Sequence, residues 1–128
     1  MTIAPSDAAV AARSFPRRWR ALFARAAGDD EHGDVLARSG ANGLAQQVTT
    51  MLADAAAKLP GTVIPGATAG TDVLDRLESA ATTLARVIES VPADSWAGEP
   101  IFVLTATIDE TAALLRRAEK QIDEALAA

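Results

Sequence analysis

Apolar residues recur at three- and four-residue intervals in four stretches of this chain, the spacing that gathers them on one face of an α-helix. In the first stretch Phe15, Trp19, Leu22, Phe23 and Ala26 share a face, while Arg17, Arg18 and Arg25 lie off it. Ser14 suits an N-cap and Pro16 an opening turn, where a missing N–H has no partner to lose. The pattern therefore predicts a helix that starts after Ser14 and stops at Gly28, with residues 1–13 as a flexible tail. The tail is mildly apolar, but it lacks a basic segment ahead of a hydrophobic run and Asp7 interrupts it, so it does not read as a signal peptide.

Asp29 to Asp34 is acidic and turn-like, and Ser39 to Gly43 is rich in helix breakers, which predicts an irregular connection around Val35 and Leu36. The second stripe, Leu44, Val48, Met51, Leu52, Ala55 and Leu59, predicts a helix over 44–59 that Pro60-Gly61 ends. Two prolines and three glycines between Pro60 and Gly70 then suit a long surface crossing better than a tight turn. Thr71 or Asp72 can cap a third helix in which Leu74, Leu77, Ala81, Leu84, Ile88 and Val91 repeat almost in heptads up to Pro92.

A turn over Pro92 to Pro100 carries Trp96, which is expected to fold back over the end of the helices as an apolar plug. The last stripe is Ile101, Leu104, Ile108, Leu115, Ala118, Ile122 and Leu126. β-Branched Ile101, Val103, Thr105 and Thr107 weaken its first turns, so an extended start is the alternative. Four amphipathic helices with one long connection predict an all-α fold: a four-helix bundle, up-down-down-up, with a crossover between helices 2 and 3, in one domain over 14–128.

Composition agrees with this and removes several chemistries. A chain of 128 residues suits one core, and 49% apolar residues with only 4% aromatic favour close packing through small and aliphatic side chains. There is no cysteine, which excludes disulfides, thiolate metal sites and thiol nucleophiles, and which fits a reducing cytoplasmic setting. No apolar run reaches the roughly 18 residues of a membrane span. A formal net charge of −5 disfavours nucleic acid as a partner of the whole surface.

Leu84-Ala85-Arg86-Val87-Ile88-Glu89-Ser90-Val91-Pro92-Ala93-Asp94-Ser95-Trp96, a helix ending in a proline, acid and tryptophan turn before a long last helix, resembles the second half of the DinB-like and mycothiol-dependent maleylpyruvate isomerase-like superfamily. Arg18-Trp19-Arg20-Ala21-Leu22-Phe23 is similar to that family's first helix, and Leu52-Ala53-Asp54 to part of its second. The resemblance implies a helical bundle and, in many members, a divalent metal held by a histidine triad on the second and last helices, with thiol-dependent transfer or isomerisation. Here the second helix offers Gln46 and Gln47, the last offers Arg116, Arg117 and Gln121, and the single histidine, His32, lies in the acidic loop. Arginine is permanently charged and glutamine is a weak donor, so no metal and no cofactor is expected.

The remaining features are weighed as sites. Arg17, Arg18 and Arg20, with Trp19 interleaved, present a candidate surface for an anion or a partner, against the plainer reading of an ordinary charged helix face. Thr50, Thr82, Thr83 and Thr111 place hydroxyls on three helices near their apolar stripes and form a candidate polar pocket, although helical threonines usually bond back to their own backbone. Ile101 to Leu104 is apolar all round, which makes Phe102 and Val103 candidate homodimer contacts. The acidic loop around His32 and the acidic pairs Asp109-Glu110 and Asp123-Glu124 read as solvated surface. The leading expectation is a metal-free DinB-like protein that binds a small molecule or a protein, with binding favoured over catalysis and catalysis left open. The alternatives are a thiol-dependent transferase or isomerase with an atypical site, and a secreted helical interaction protein of the kind named for a W-x-G turn, on the strength of Trp96-Ala97-Gly98.

Overall fold

The computed structural model describes residues 3–28, 34–61 and 72–127. Their regular elements are α1 (Pro5–Gly28), α2 (Asp34–Ser39), α3 (Ala41–Lys58), α4 (Val73–Ser90) and α5 (Glu99–Ala127), with a 3-10 turn at Ala93–Ser95 before α5. The fold class is all-α, and no described helix is long and apolar enough to cross a membrane.

The four long helices bury residues in alternating steps of four and three. On α1 these are Ala8, Ala12, Phe15, Trp19, Leu22 and Ala26; on α3, Ala41, Ala45, Val48, Leu52 and Ala55. On α4 they are Leu77, Ala81, Leu84 and Ile88; on α5, Leu104, Ile108, Thr111, Leu115, Ala118 and Ile122. This is the seam spacing of coiled-coil packing, in which a side chain of one helix enters a gap on its neighbour. The alanines leave room for Phe15 and Trp19 and let the backbones approach, and Val35 adds α2 to the same apolar cluster.

Long-range contacts fix the directions of the helices pairwise. Arg13 meets Glu89 while Arg20 meets Asp75 and Glu78, so α1 and α4 run in opposite directions. The Ile3 amide donates to Thr105 Oγ1 (3.1 Å), Arg18 meets Glu119 and Arg25 meets Asp123, so α1 and α5 run the same way. Gln46, Thr49 and Thr50 line a depression with Val73 and Arg76, and Gly61 abuts Val87 and Ser90, so α3 and α4 are parallel. A Cβ on Gly61 would fall 2.6 Å from Ser90 Oγ and 2.9 Å from the Val87 carbonyl oxygen, an approach that only glycine permits.

Several boundaries differ from those the sequence predicts. The stretch expected as a tail is helical from Pro5, because Ala8, Ala9 and Ala12 are buried and extend the apolar face of α1 backward. Ser14 is therefore no cap: its hydroxyl donates to the Ala11 carbonyl at 2.7 Å, and Pro16 sits in the helix interior. Instead of an irregular connection over 34–43 there is α2, and α3 already starts at Ala41 after Gly40 in the left-handed region (φ 72°). The buried Ser39 hydroxyl donates to the Leu36 carbonyl and accepts from the Ala41 amide, stitching the two helices together. Asp72 caps α4 by accepting from the Leu74 amide at 3.2 Å.

The last helix has no extended start. It is helical from Glu99, and Thr105 and Thr107 bond back to the Ile101 and Val103 carbonyls at 2.8 and 2.9 Å, which satisfies hydroxyls that would otherwise compete with the helix. Met51, Leu74, Ile101 and Leu126 are half-buried rather than core. Trp96 packs half-buried against the apolar cluster. The acidic loop with His32 and the crossing that follows Gly61 lie outside the described residues.

Candidate functional site

Arg13, Arg17 and Arg20 stand at i, i+4 and i+7 on α1 and so share the flank that faces α4. With Pro16, and with Glu78 and Thr82 of α4, they line an open groove of about 410 Å³. Two of the three guanidiniums are engaged along its walls. Arg13 Nη2 donates to Glu89 Oε1 at 2.6 Å, and Arg20 Nη2 donates to Asp75 Oδ1 at 2.7 Å and to Glu78 Oε2 at 2.8 Å. The hydrogen bond to Asp75, then that to Glu78, raises the Arg20 pKa above its ordinary value, so this group stays cationic at any pH the fold survives.

Of the five arginines of α1, Arg17 alone has no ion pair among the described residues. The candidate surface of Arg17, Arg18, Arg20 and Trp19 is therefore divided by the fold. Trp19 is wholly buried and leaves the surface altogether, since position 19 falls on the apolar seam. Arg18 turns toward α5, 4.0 Å from Glu119. Arg17 and Arg20 remain together and gain Arg13 as a third cation, with Thr82 across the groove.

The ion pairs all involve side chains 41–64% exposed, and pairs of this kind contribute about 0–1 kcal/mol each. They set the register of α1 against α4 and α5 more than they hold the helices together. The sequence shows the arginines beside the apolar face but gives no sign of their acidic partners, which lie 55 to 101 residues away.

The four threonines do not share one pocket. Thr50 is exposed, bonds back to the Gln46 carbonyl at 3.2 Å and lines a separate depression of about 290 Å³ with Gln46, Thr49, Val73 and Arg76. Thr82 opens into the groove between α1 and α4, and Thr83 is half-buried. Thr111 is fully buried on the seam of α5, and its hydroxyl has no hydrogen-bond partner among the described residues.

A buried hydroxyl without a partner costs about 1–3 kcal/mol of desolvation, which an isosteric apolar side chain avoids. Thr111→Val is accordingly expected to stabilise the protein by about 1 kcal/mol, read as a higher urea midpoint at unchanged slope. Thr111→Ala, which leaves a cavity as well, serves as the comparison and should be less stable than Thr111→Val. A Thr111→Val variant less stable than the parent would mean that the hydroxyl is bonded in solution.

At the positions that the resemblance would use for metal ligands, Gln46 and Gln47 are exposed. Gln121 is held by its neighbours: with its amide turned to satisfy them, it donates to the Ser39 carbonyl and accepts from Arg117 Nε at 3.2 Å. Among the described residues no group of three His, Cys, Asp or Glu side chains is placed to hold a metal ion. Phe102 is 64% exposed on the side of α5 away from the seam, beside half-buried Val103. Comparison of the chain with protein-family models, curated proteins and solved structures finds no match.

Proposed function

We propose that this chain is a metal-free, DinB-like four-helix bundle, up-down-down-up with its crossover between α3 and α4, that works by binding a small molecule in the groove between α1 and α4. The opposed directions of α1 and α4 and the shared directions of α1 with α5 and α3 with α4 support that topology. One observation carries the functional reading. The groove brings three guanidiniums and a hydroxyl to one open surface, and Arg17 has no partner there among the described residues. Such groups fix a ligand by charge and hydrogen bonds. Glu78, the acid in the lining, is occupied by Arg20, so the groove holds no side-chain pair set up for proton transfer, which favours binding over turnover.

The test is amide chemical-shift mapping on the whole chain with a panel of anionic, cationic and neutral small molecules. At least one class is expected to give saturable shifts centred on residues 13–20 and 75–82. Shifts centred elsewhere, or none with any class, would refute the assignment of this groove.

A further inference from the structure

We infer that the groove between α1 and α4 takes a phosphate monoester, its dianionic head held by Arg17 between Arg13 and Arg20, with the Thr82 hydroxyl donating from the facing helix. The inference rests on the reading of this groove as the ligand site and names the ligand's chemistry.

The lining selects for charge first. It contains three cations that cannot be deprotonated, one of which has no carboxylate partner among the described residues, so an anion is the ligand that gains most on entry. It selects next for the number of acceptors. A carboxylate has two oxygens in one plane and carries one charge, whereas a phosphate monoester has three terminal oxygens set around one atom and carries up to two. Those oxygens can take the fork of Arg17, an N–H of a flanking arginine and the Thr82 hydroxyl at once. A groove of about 410 Å³ also leaves space for the esterified part of the ligand.

Charge counting shows what opposes binding. Arg13, Arg17 and Arg20 are balanced by Asp75, Glu78 and Glu89, and Glu78 itself lines the groove. The engaged arginines are nonetheless available, because their exposed pairs are weak and phosphate makes the stronger charge-assisted bonds. Asp75 and Glu89 hold Arg20 and Arg13 at the two ends of the groove, leaving Arg17 between them. Glu78 is the competitor, and this gives a test that a purely structural role of these residues does not pass: removing its charge should tighten binding.

The experiment titrates the whole chain at pH 7.5 and low salt with inorganic phosphate, glycerol 3-phosphate and glycerol, following amide shifts. Vesicles of phosphatidylcholine with and without phosphatidic acid are tested in parallel by co-sedimentation. Inorganic phosphate and glycerol 3-phosphate should saturate shifts at 13–20 and 75–82, and glycerol should give none. Arg17→Gln should weaken the binding about tenfold or more, Glu78→Gln should tighten it about threefold to tenfold, and Arg18→Gln, on the α5 side, should leave it within about twofold. Circular dichroism melts establish that each variant is folded, and Glu78→Gln tests the idea by a gain that misfolding does not produce.

Sedimentation with phosphatidic acid vesicles alone, lost in Arg17→Gln, would support the phosphoryl chemistry and assign it to a lipid headgroup. Binding of glycerol 3-phosphate without vesicle binding would assign it to a soluble ester. Equal losses in Arg17→Gln and Arg18→Gln would reduce the effect to general surface charge and overturn the site. Neutral or cationic compounds that map to the groove while phosphate and glycerol 3-phosphate do not would overturn the phosphate inference and leave the groove as the ligand site. No response there to any compound, together with no sedimentation on phosphatidic acid vesicles, would remove both.

Discussion

Trp19→Ala should lower the stability of this protein by about 3–5 kcal/mol, the usual cost of emptying a large aromatic site in a packed core. Trp19 is wholly buried on the seam of α1 and stacks edge-on against Phe23, with ring centroids 6.3 Å apart at 72°. Such a pair adds about 0.5–1.5 kcal/mol to the burial itself. Its surroundings on the seams include alanines that cannot extend to fill the space, so the site relaxes poorly. For a chain of this size the loss corresponds to a melting temperature lower by roughly 12–20 °C, and it takes up much of a typical total stability.

Trp19→Phe separates packing from polarity. The buried indole Nε1 has no hydrogen-bond partner among the described residues, so phenylalanine loses some area and also removes an orphan donor. The two effects are of similar size and opposite sign, and the variant should lie within about 1 kcal/mol of the parent in chemical denaturation. If Trp19→Phe is as damaging as Trp19→Ala, the indole N–H is bonded in solution, and the account of the α1 seam as a dry apolar contact fails.

Much of the helix content was legible because burial follows period. α4 is the clearest case: its stripe, the Asp72 cap and the Pro92 stop are local signals, and the helix spans Val73–Ser90. The first turns of α1 were not legible, because an alanine-rich stretch looks much the same exposed or buried and Ser14 next to Pro16 imitates a helix start. α2 is six residues long, too short for a period to show. Thr111 is polar and so stands outside an apolar stripe, although the 4-3 spacing from Leu104 through Ile108 and on to Leu115 points straight at it.

The candidate site was half legible for a different reason. That α1 carries arginines beside its apolar face is visible in the sequence, but which of them are neutralised depends on acids brought from α4 and α5. Helix register decides that Arg18 and Arg25 turn to α5, that Arg13 and Arg20 turn to α4, and that Arg17 is left over. Nothing local to residues 13–25 encodes that division.

Pro16→Ala should stabilise the protein by about 1–2 kcal/mol, an unusual sign for a change at a buried position. Pro16 lies inside a continuous helix, Pro5–Gly28, where it lacks the N–H that the Ala12 carbonyl would accept and where a proline ring crowds the carbonyl four residues before it. An interior proline costs about 3 kcal/mol relative to alanine. Against this stands the burial of the ring, about two methylene groups more than alanine at about 0.8 kcal/mol each. The difference favours alanine, and far-UV circular dichroism should show equal or greater helicity. The same substitution decides between two accounts of the N-terminal stretch. Were the helix to start after Ser14, Pro16 would occupy its first turn at no cost and alanine there would be neutral or destabilising. A lower urea midpoint for Pro16→Ala would thus detach residues 5–13 from α1, and with them the burial of Ala8 and Ala12 on its seam.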